Sequence, residues 1–479
     1  MRWITGLLVV ALVAAGAAAY RLDLVEPWYD HFFGDEPAAA PPAESPVEVA
    51  PPPGLDLPPV PAMEAVAAEL GASGRAAPAE VEAALAPYLA DADLGPHVLA
   101  AVDDLGTGRT LARIGSGTAI PASTTKLLTG LAALEALGPE RTFSTRVVAG
   151  GRNRIVLVGG GDPFLMSEPA GSDDDAPSYP ARADIVTLAQ QTAAVLQQEG
   201  RQRVRLGFDD SLFAEPGFNP AWPASYADEG DIVSPITALW VDEGREPDSF
   251  RRVEDPSLYA AQVFAAALVQ AGIKVVGDPA YGVADVGGRE ITAVTSAPVR
   301  EIVERVLEVS DNEAAEVLAH HIGLAVGLTG SFADGVTGTL RTLRGLGVPR
   351  DGIEIYDGSG LSRHNRLTPD ALLAVLRAAA TGGPALHTVI EALPVAGFTG
   401  SLTDRFAEGF PEARGLVRAK TGTLTSVSSL AGVLVDREGH QMVFVLMADR
   451  VPKPKETAAE NALDSAAAAL TACSCGRNG

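Results

Sequence analysis

Two cysteines in 479 residues leave no material for a disulfide framework. Cys473 and Cys475 stand one residue apart near the C-terminus, where a free or intermolecular thiol pair is expected. Positive charge is also scarce: 36 Lys and Arg face 61 Asp and Glu, a net charge of -25. A phosphate backbone would be repelled by such a chain, which excludes non-specific nucleic-acid binding. Apolar runs long enough to span a bilayer are missing after the first twenty residues, so at most one anchor remains. No G-x-S-x-G, H-E-x-x-H, G-x-G-x-x-G or Walker A sequence occurs, which removes support for nucleophile-elbow hydrolases, zincins and common nucleotide enzymes. No cofactor and no metal site is indicated. No repeat with a period of 20 to 50 residues occurs, which argues against a solenoid.

What is present starts with a segment for export. Between Arg2 and Arg21 runs the uncharged stretch Trp3 to Tyr20, long enough to cross a bilayer, and Ala17, Ala18 and Ala19 also suit a cleavage site. Either reading places the remainder outside the cytoplasm, in the cell envelope, with membrane contact through the N-terminal segment only. From Pro37 to Pro61 ten prolines alternate with Ala, Glu and Val, an extended spacer rather than a core. The expected organisation is an anchor or signal over 1–33, a linker over 34–62, a main domain from 63–145 and 296–473, an inserted domain over 146–295, and a tail over 474–479.

The patterning is mixed α/β. A helix is expected from Pro78 to about Ala90, then a hairpin of His97 to Asp103 and Arg109 to Gly115 around a glycine-containing turn. At the far end Ser428 to Asp436 and Gln441 to Asp449 read as strands, followed by a helix from Glu456 to about Thr471. Hairpins at both ends suggest one antiparallel sheet made from the two termini and flanked by helices. Between them lie strands Phe143 to Val148, Arg154 to Val158 and Ile273 to Val276, with helices Ala183 to Glu199 and Leu258 to Ala271. The acidic run Asp173 to Asp175 reads as a solvated turn rather than a metal site, and the pair His320 and His321 as structural histidines facing different ways.

The informative residue type is lysine, of which there are only five. A lysine that is desolvated or near another cation becomes a neutral amine able to accept a proton, which arginine cannot do. Lys126 lies three residues after Ser123 at a helix start, so hydroxyl and amine share one face, close to N-terminal N–H groups that favour developing negative charge. The plain alternative is an N-cap serine. Ser310-Asp-Asn312 sits between two helices, where Ser310 and Glu313 also fit a capping box. Lys420-Thr-Gly422 falls in the strand-like stretch Gly415 to Thr425.

Ser-x-x-Lys, Ser-x-Asn and Lys-Thr-Gly each occur once, in that order, and the chain thereby resembles the active-site serine penicillin-binding proteins. Asp357-Gly-Ser-Gly-Leu-Ser-Arg363, Leu393-Pro-Val-Ala-Gly397 and Gly160-Gly-Asp-Pro163 are similar to the low-molecular-mass class C branch, the D-alanyl-D-alanine carboxypeptidases with a domain inserted between the first two motifs. The resemblance covers about residues 80 to 473. It implies a β-lactamase-like transpeptidase domain, peptidoglycan pentapeptide stems as substrate and β-lactams as inhibitors. It further implies that Ser123 attacks the penultimate D-alanine carbonyl to form an acyl-enzyme. Lys126 would take the serine proton, its pKa lowered by Lys420 and burial, and Ser310 would relay that proton to the leaving amine. Asn312 would hold the Lys126 amine, and the N–H groups of Ser123 and Thr423 would form the oxyanion hole. Lys420, Thr421 and Thr423, with Gly422 between them, would receive the terminal carboxylate. Leu361 and Arg363 are expected to wall the side-chain pocket, which Trp222, Tyr226 and Asp228 could reach from the inserted region. Two rivals stay open: a β-lactamase, since Ser310-Asp-Asn312 has the class A form, and a non-catalytic wall-binding scaffold. The resemblance also allows endopeptidase cleavage of cross-links.

Overall fold

Strands from the two ends of the chain pair with each other. The computed structural model describes residues 75–476 apart from 152, 170–178, 229–231, 248, 250, 407–410 and 412. The expected anchor, linker, folded start near Met63 and acidic run Asp173 to Asp175 lie outside the described residues. Helix α1 (Pro78–Leu89) leads to β1 (Val98–Asp104) and β2 (Thr110–Ile114), and then to α2 (Lys126–Leu137). Next come β3 (Ser144–Ala149), β4 (Arg154–Val158), α3 (Ile185–Gln198), β5 (Arg203–Asp209), α4 (Pro256–Gln270), β6 (Lys274–Val275), β7 (Ala280–Tyr281) and β8 (Glu290–Thr295). The chain continues with α5 (Val299–Val309), α6 (Asn312–Ala325), α7 (Phe332–Gly345), β9 (Ile353–Glu354), β10 (Arg366–Leu367), α8 (Pro369–Thr381) and α9 (Pro384–Glu391). It closes with β11 (Val417–Leu424), β12 (Val427–Val435), β13 (Gln441–Ala448) and α10 (Glu456–Ala472).

The main sheet runs β11-β12-β13-β1-β2, antiparallel throughout. Along β13 every residue after Gln441 is buried because both faces are covered, which is why it reads as an unbroken apolar run. Met442, Phe444 and Leu446 pack with α1 and α10, whereas Val443, Val445 and Met447 pack with the helices around α2. Helix α2 is apolar on nearly every side, with Leu127, Leu128 and Leu131 fully buried, the pattern of a central core helix. Its first residue is Lys126, so the core holds one cation by construction.

Residues between α2 and α5 form a second sheet, ordered β6-β5-β4-β3-β8, in which β4, β5 and β6 run parallel. Helices α3 and α4 cover it around Leu157, Leu188 and Phe264. A further cluster, with Phe213, Trp222 and Trp240 against Val317 and Leu361, ties this segment to α6 and to the loop between β9 and β10.

Two expectations need correcting here. Cys473 and Cys475 form a disulfide with one another. After α10 the backbone is extended at Cys473, so residues two apart project to the same side, with Cα atoms 5.1 Å apart. Cys475 is buried, and its carbonyl accepts from Ala77 N at 2.5 Å, tying the start of the described chain to its end. The second correction concerns Ser310, which does not form a capping box with Glu313: it terminates α5 in the left-handed conformation (φ 64°, ψ 39°). Asp311 caps α6 instead, accepting from Ala314 N. Among the described residues no helix is long and apolar enough to cross a membrane.

Candidate active site

The turn before α2 is held in a costly shape. Ala122 has a φ of 48°, a left-handed conformation that a non-glycine residue adopts only when its surroundings enforce it. Thr124 Oγ1 donates to Pro121 O at 2.8 Å and Thr125 Oγ1 to Ala122 O at 2.9 Å, turning the chain through a short 3-10 segment (Ala122–Thr125) before α2 proper. Ser429 Oγ on β12 donates to Pro121 O at 2.8 Å and pins the turn to the sheet. Two glycines let other backbones approach it. A Cβ on Gly360 would lie 2.0 Å from Ala122 O, and one on Gly422 would lie 2.5 Å from Pro121 O. Ser123 is thereby left half-buried at the junction of α2, β11 and the β9–β10 loop.

The Lys126 amine is fully buried and meets three oxygens: Ser123 Oγ at 2.9 Å, Asn312 Oδ1 at 2.8 Å and Ser359 O at 2.7 Å. The last two can only accept, so they claim two of its N–H bonds in either protonation state. The third direction faces the serine hydroxyl, which accepts from the ammonium and donates to the neutral amine. Burial lowers the Lys126 pKa to about 8, with Asp357, Asp311, Glu316 and Glu313 opposing the shift. Lys420, expected to contribute, is not among the causes. The two amines are nonetheless electrostatic neighbours: burial and then the charge of Lys126 hold the Lys420 amine well below its ordinary range.

Ser359 is positioned by carboxylates that sequence reasoning did not assign. Glu316, fully buried on α6, accepts from Ser359 N at 2.7 Å and Gly358 N at 3.0 Å. Burial, followed by the charge of Asp357, raises its pKa to about 8. Asp357 accepts from Gly360 N, Ser362 N, Asn365 Nδ2 and Trp222 Nε1, closing the loop on itself. Thr129 Oγ1 adds a bond to Gly358 O at 2.6 Å. A signal for Glu316 existed: it is a carboxylate inside an apolar helix, four residues after Asn312 and therefore on the same face. His320 continues that face, its Nδ1 donating to Glu316 O at 2.8 Å, while His321 Nε2 donates to Gly161 O at 2.9 Å. Both histidines are buried, which lowers their pKa values to about 4 and 3, so they are structural as expected.

Strand β11 brings in the third motif. Lys420 is fully buried and its amine donates to Thr421 O at 3.1 Å. Ala419 N donates to Pro394 O outside the sheet, so alternate residues Thr421 and Thr423 turn their N–H groups to the same open edge. Thr421 Oγ1 donates to Ser401 Oγ at 2.8 Å, which draws Ser401 into the site. Thr423 departs from expectation: its hydroxyl donates to Glu460 Oε1 on α10 at 2.9 Å, because that acceptor packs beside the strand, and so is occupied rather than offered to a carboxylate.

The α5–α6 junction brings Asn312 to Lys126, and Ser310 lies two residues before it at the end of α5. Leu361 is buried against Trp222, and Arg363 reaches Thr425 O at 2.9 Å beyond the end of β11. Tyr226 is half-buried near Arg363, whose charge opposes the upward push of burial on the phenol. The side chain of Asp228 lies outside the described residues. The arrangement supplies a hydroxyl beside a buried amine of lowered pKa, an open edge of N–H groups and a second buried amine. That set suits attack on a carbonyl by the serine.

Comparisons with known proteins agree with this chemistry. The sequence pattern of the D-Ala-D-Ala carboxypeptidase 3 (S13) family matches residues 81–249 and 245–470. A carboxypeptidase of Mycobacterium tuberculosis is 36% identical over 410 residues, covering 83% of this chain and 85% of that relative. Carboxypeptidase DacB of Mycolicibacterium smegmatis is 35% identical over 480 residues, covering 98% and 97%. The crystal structure of penicillin binding protein 4 from Haemophilus influenzae shares the fold, with a TM-score of 0.65 at 20% identity over 81% of this chain and 98% of that one.

Proposed function

Because the chain belongs to the D-Ala-D-Ala carboxypeptidase 3 (S13) family and is a serine-type D-alanyl-D-alanine carboxypeptidase, we propose that Ser123 is its nucleophile and Lys126 its general base. The observation that carries this assignment is the 2.9 Å contact between Lys126 Nζ and Ser123 Oγ, with the other two amine directions already taken. The neutral amine accepts the serine proton as Oγ bonds to the carbonyl carbon of the penultimate D-alanine. The negative oxygen that develops is received by the N–H groups of Ser123 and Thr423, each donor worth about 10²- to 10³-fold in rate. Collapse of the tetrahedral adduct breaks the C–N bond, and the proton passes through Ser310 to the departing D-alanine amine. The Ser123 ester is then cleaved by a water that gives a proton to Lys126, which returns it to Ser123 Oγ as the C–O bond breaks and the shortened peptide leaves. Lys420 and Thr421 receive the terminal carboxylate, while Thr423 contributes its N–H.

The substrate is the peptide stem of peptidoglycan, and β-lactams acylate the same serine, since they present a strained amide and a carboxylate in the same relation. The uncharged stretch Trp3 to Tyr20 and the proline-rich spacer support an extracytoplasmic location with attachment through the N-terminal segment. The test is intact mass of the full chain with benzylpenicillin, alongside D-alanine release from a D-Ala-D-Ala-terminated peptide. One covalent adduct on Ser123 is expected, and both adduct and release should be lost in Ser123→Ala. Release by that variant at the parental rate would refute the assignment, and steady hydrolysis of penicillin without an adduct would favour a β-lactamase.

A further inference from the structure

Ser310 and Asn312 also form one wall of a second recess, a cavity of about 470 Å³ reached from the same motif. Its other walls are unusual for a chain of net charge -25, because four arginines meet there: Arg182, Arg245, Arg252 and Arg305. Two of them are neutralised. Arg252 pairs with Glu313 at 2.6 Å, both almost fully buried, and Arg245 pairs with Glu243 at 2.9 Å. Asp311 caps α6 and lies near Lys126, whose charge it favours. The remaining two cations, Arg182 and Arg305, carry no ion pair among the described residues. Arg182 lies 5.1 Å over the ring of Phe164. Arg305, on α5 five residues before Ser310, has its Nε buried without any hydrogen-bond partner. Burial also raises the pKa of Glu243 to about 7, which weakens the acidic side of the recess near neutrality.

Arg305 and Arg182 bring to the recess guanidinium groups with no carboxylate in ion-pair distance among the described residues, and the fork of donors on arginine suits a carboxylate. We propose that this recess is a subsite for a free carboxylate carried by the stem peptide upstream of its D-Ala-D-Ala end, gripped by Arg305 with Arg182 in support. The proposal rests on the carboxypeptidase reading above, since the recess shares Ser310 and Asn312 with the reaction centre and so takes a group covalently continuous with the scissile unit. Upstream acidity then becomes a determinant of which stems are trimmed, and amidation of that carboxylate becomes a means of sparing them.

The test compares two peptides, N-acetyl-γ-D-glutamyl-L-lysyl-D-alanyl-D-alanine with its glutamyl α-carboxyl free or amidated, using the full chain. For the wild type the ratio of kcat/KM, acid over amide, is expected to be about tenfold, the scale of one charge-assisted hydrogen bond. Arg305→Gln should bring that ratio close to one, and Arg305→Lys should retain part of it. Because the readout is a ratio within each protein, a general loss of activity does not imitate the effect. A wild-type ratio of one, or an unchanged ratio in Arg305→Gln, overturns the subsite. Benzylpenicillin separates the two levels of inference. Acylation of Ser123 with equal hydrolysis of both peptides removes the subsite alone, whereas hydrolysis of neither peptide and an unmodified Ser123 removes the carboxypeptidase reading and the subsite with it.

Discussion

Gly422→Ala is the smallest change that tests how β11 and the nucleophile turn are fitted together. Gly422 does not lie in the left-handed region, so an alanine there meets no backbone penalty and any effect comes from contact. The added methyl would lie 2.2 Å from Ser429 Oγ, 2.5 Å from Pro121 O and 3.2 Å from Ser123 N. Carbon–oxygen contacts are comfortable near about 3.5 Å, so roughly 1 Å of separation must be gained against the Pro121 carbonyl, a backbone atom that cannot rotate aside. Overpacking of this kind costs about 1–3 kcal/mol. A nucleophile displaced by about 1 Å loses on the order of 10²-fold in rate. Stopped-flow acylation with a fluorescent penicillin should therefore slow about 100-fold, with thermal unfolding a few degrees lower. Ser429→Ala alone removes the bond to Pro121 O, worth about 1 kcal/mol, and should acylate far better than Gly422→Ala. In the double variant the contact with Ser429 Oγ is gone but that with Pro121 O persists, so acylation should stay slow. Acylation of Gly422→Ala within about threefold of wild type would refute the reasoning. Full recovery in the double variant would place the constraint at a side chain instead of the turn.

Two further outcomes follow from the electrostatics. If the neutral Lys126 amine is the base, the acylation rate constant falls as pH drops below about 8, because protonation removes the lone pair facing Ser123; a flat profile from pH 9 to 6 would exclude that role. Glu316→Gln keeps one oxygen for Ser359 N but sets an N–H₂ group against Gly358 N, so the Ser359 carbonyl shifts and acylation at pH 7 should fall about tenfold. The acid limb should move to lower pH at the same time, because a carboxylate that favours the charged amine has been removed. A slower rate with an unmoved limb would mean that Glu316 holds the loop without tuning the lysine.

The features legible in the sequence are those set by neighbours along the chain. The terminal hairpins, the apolar helix after Ser123 and the strand bearing Lys420 all announce themselves through local periodicity and turn residues. The missed features arise between distant segments. Ser359 O and Lys126 are 233 residues apart, and Ser429 and Pro121 are 308 apart, so no local period could pair them. The disulfide and the left-handed Ser310 were missed for another reason, since each depends on the backbone direction at a helix end, which composition does not state. What joins both classes is the scarcity of lysine. A core that buries Lys126 and Lys420 with few carboxylates would leave both amines neutral at any ordinary pH, and one that surrounded them closely with acids would keep both charged. Here burial lowers Lys126 while Asp357, Asp311, Glu316 and Glu313 raise it, and the balance falls near 8. Lys420 has Lys126 rather than a carboxylate as its charged influence and is likewise held well below its ordinary range. The carboxylates around Lys126 are therefore as much a part of the base as its amine, and their placement on α6 and the β9–β10 loop, remote in sequence from Ser123, lets the fold set its reactivity.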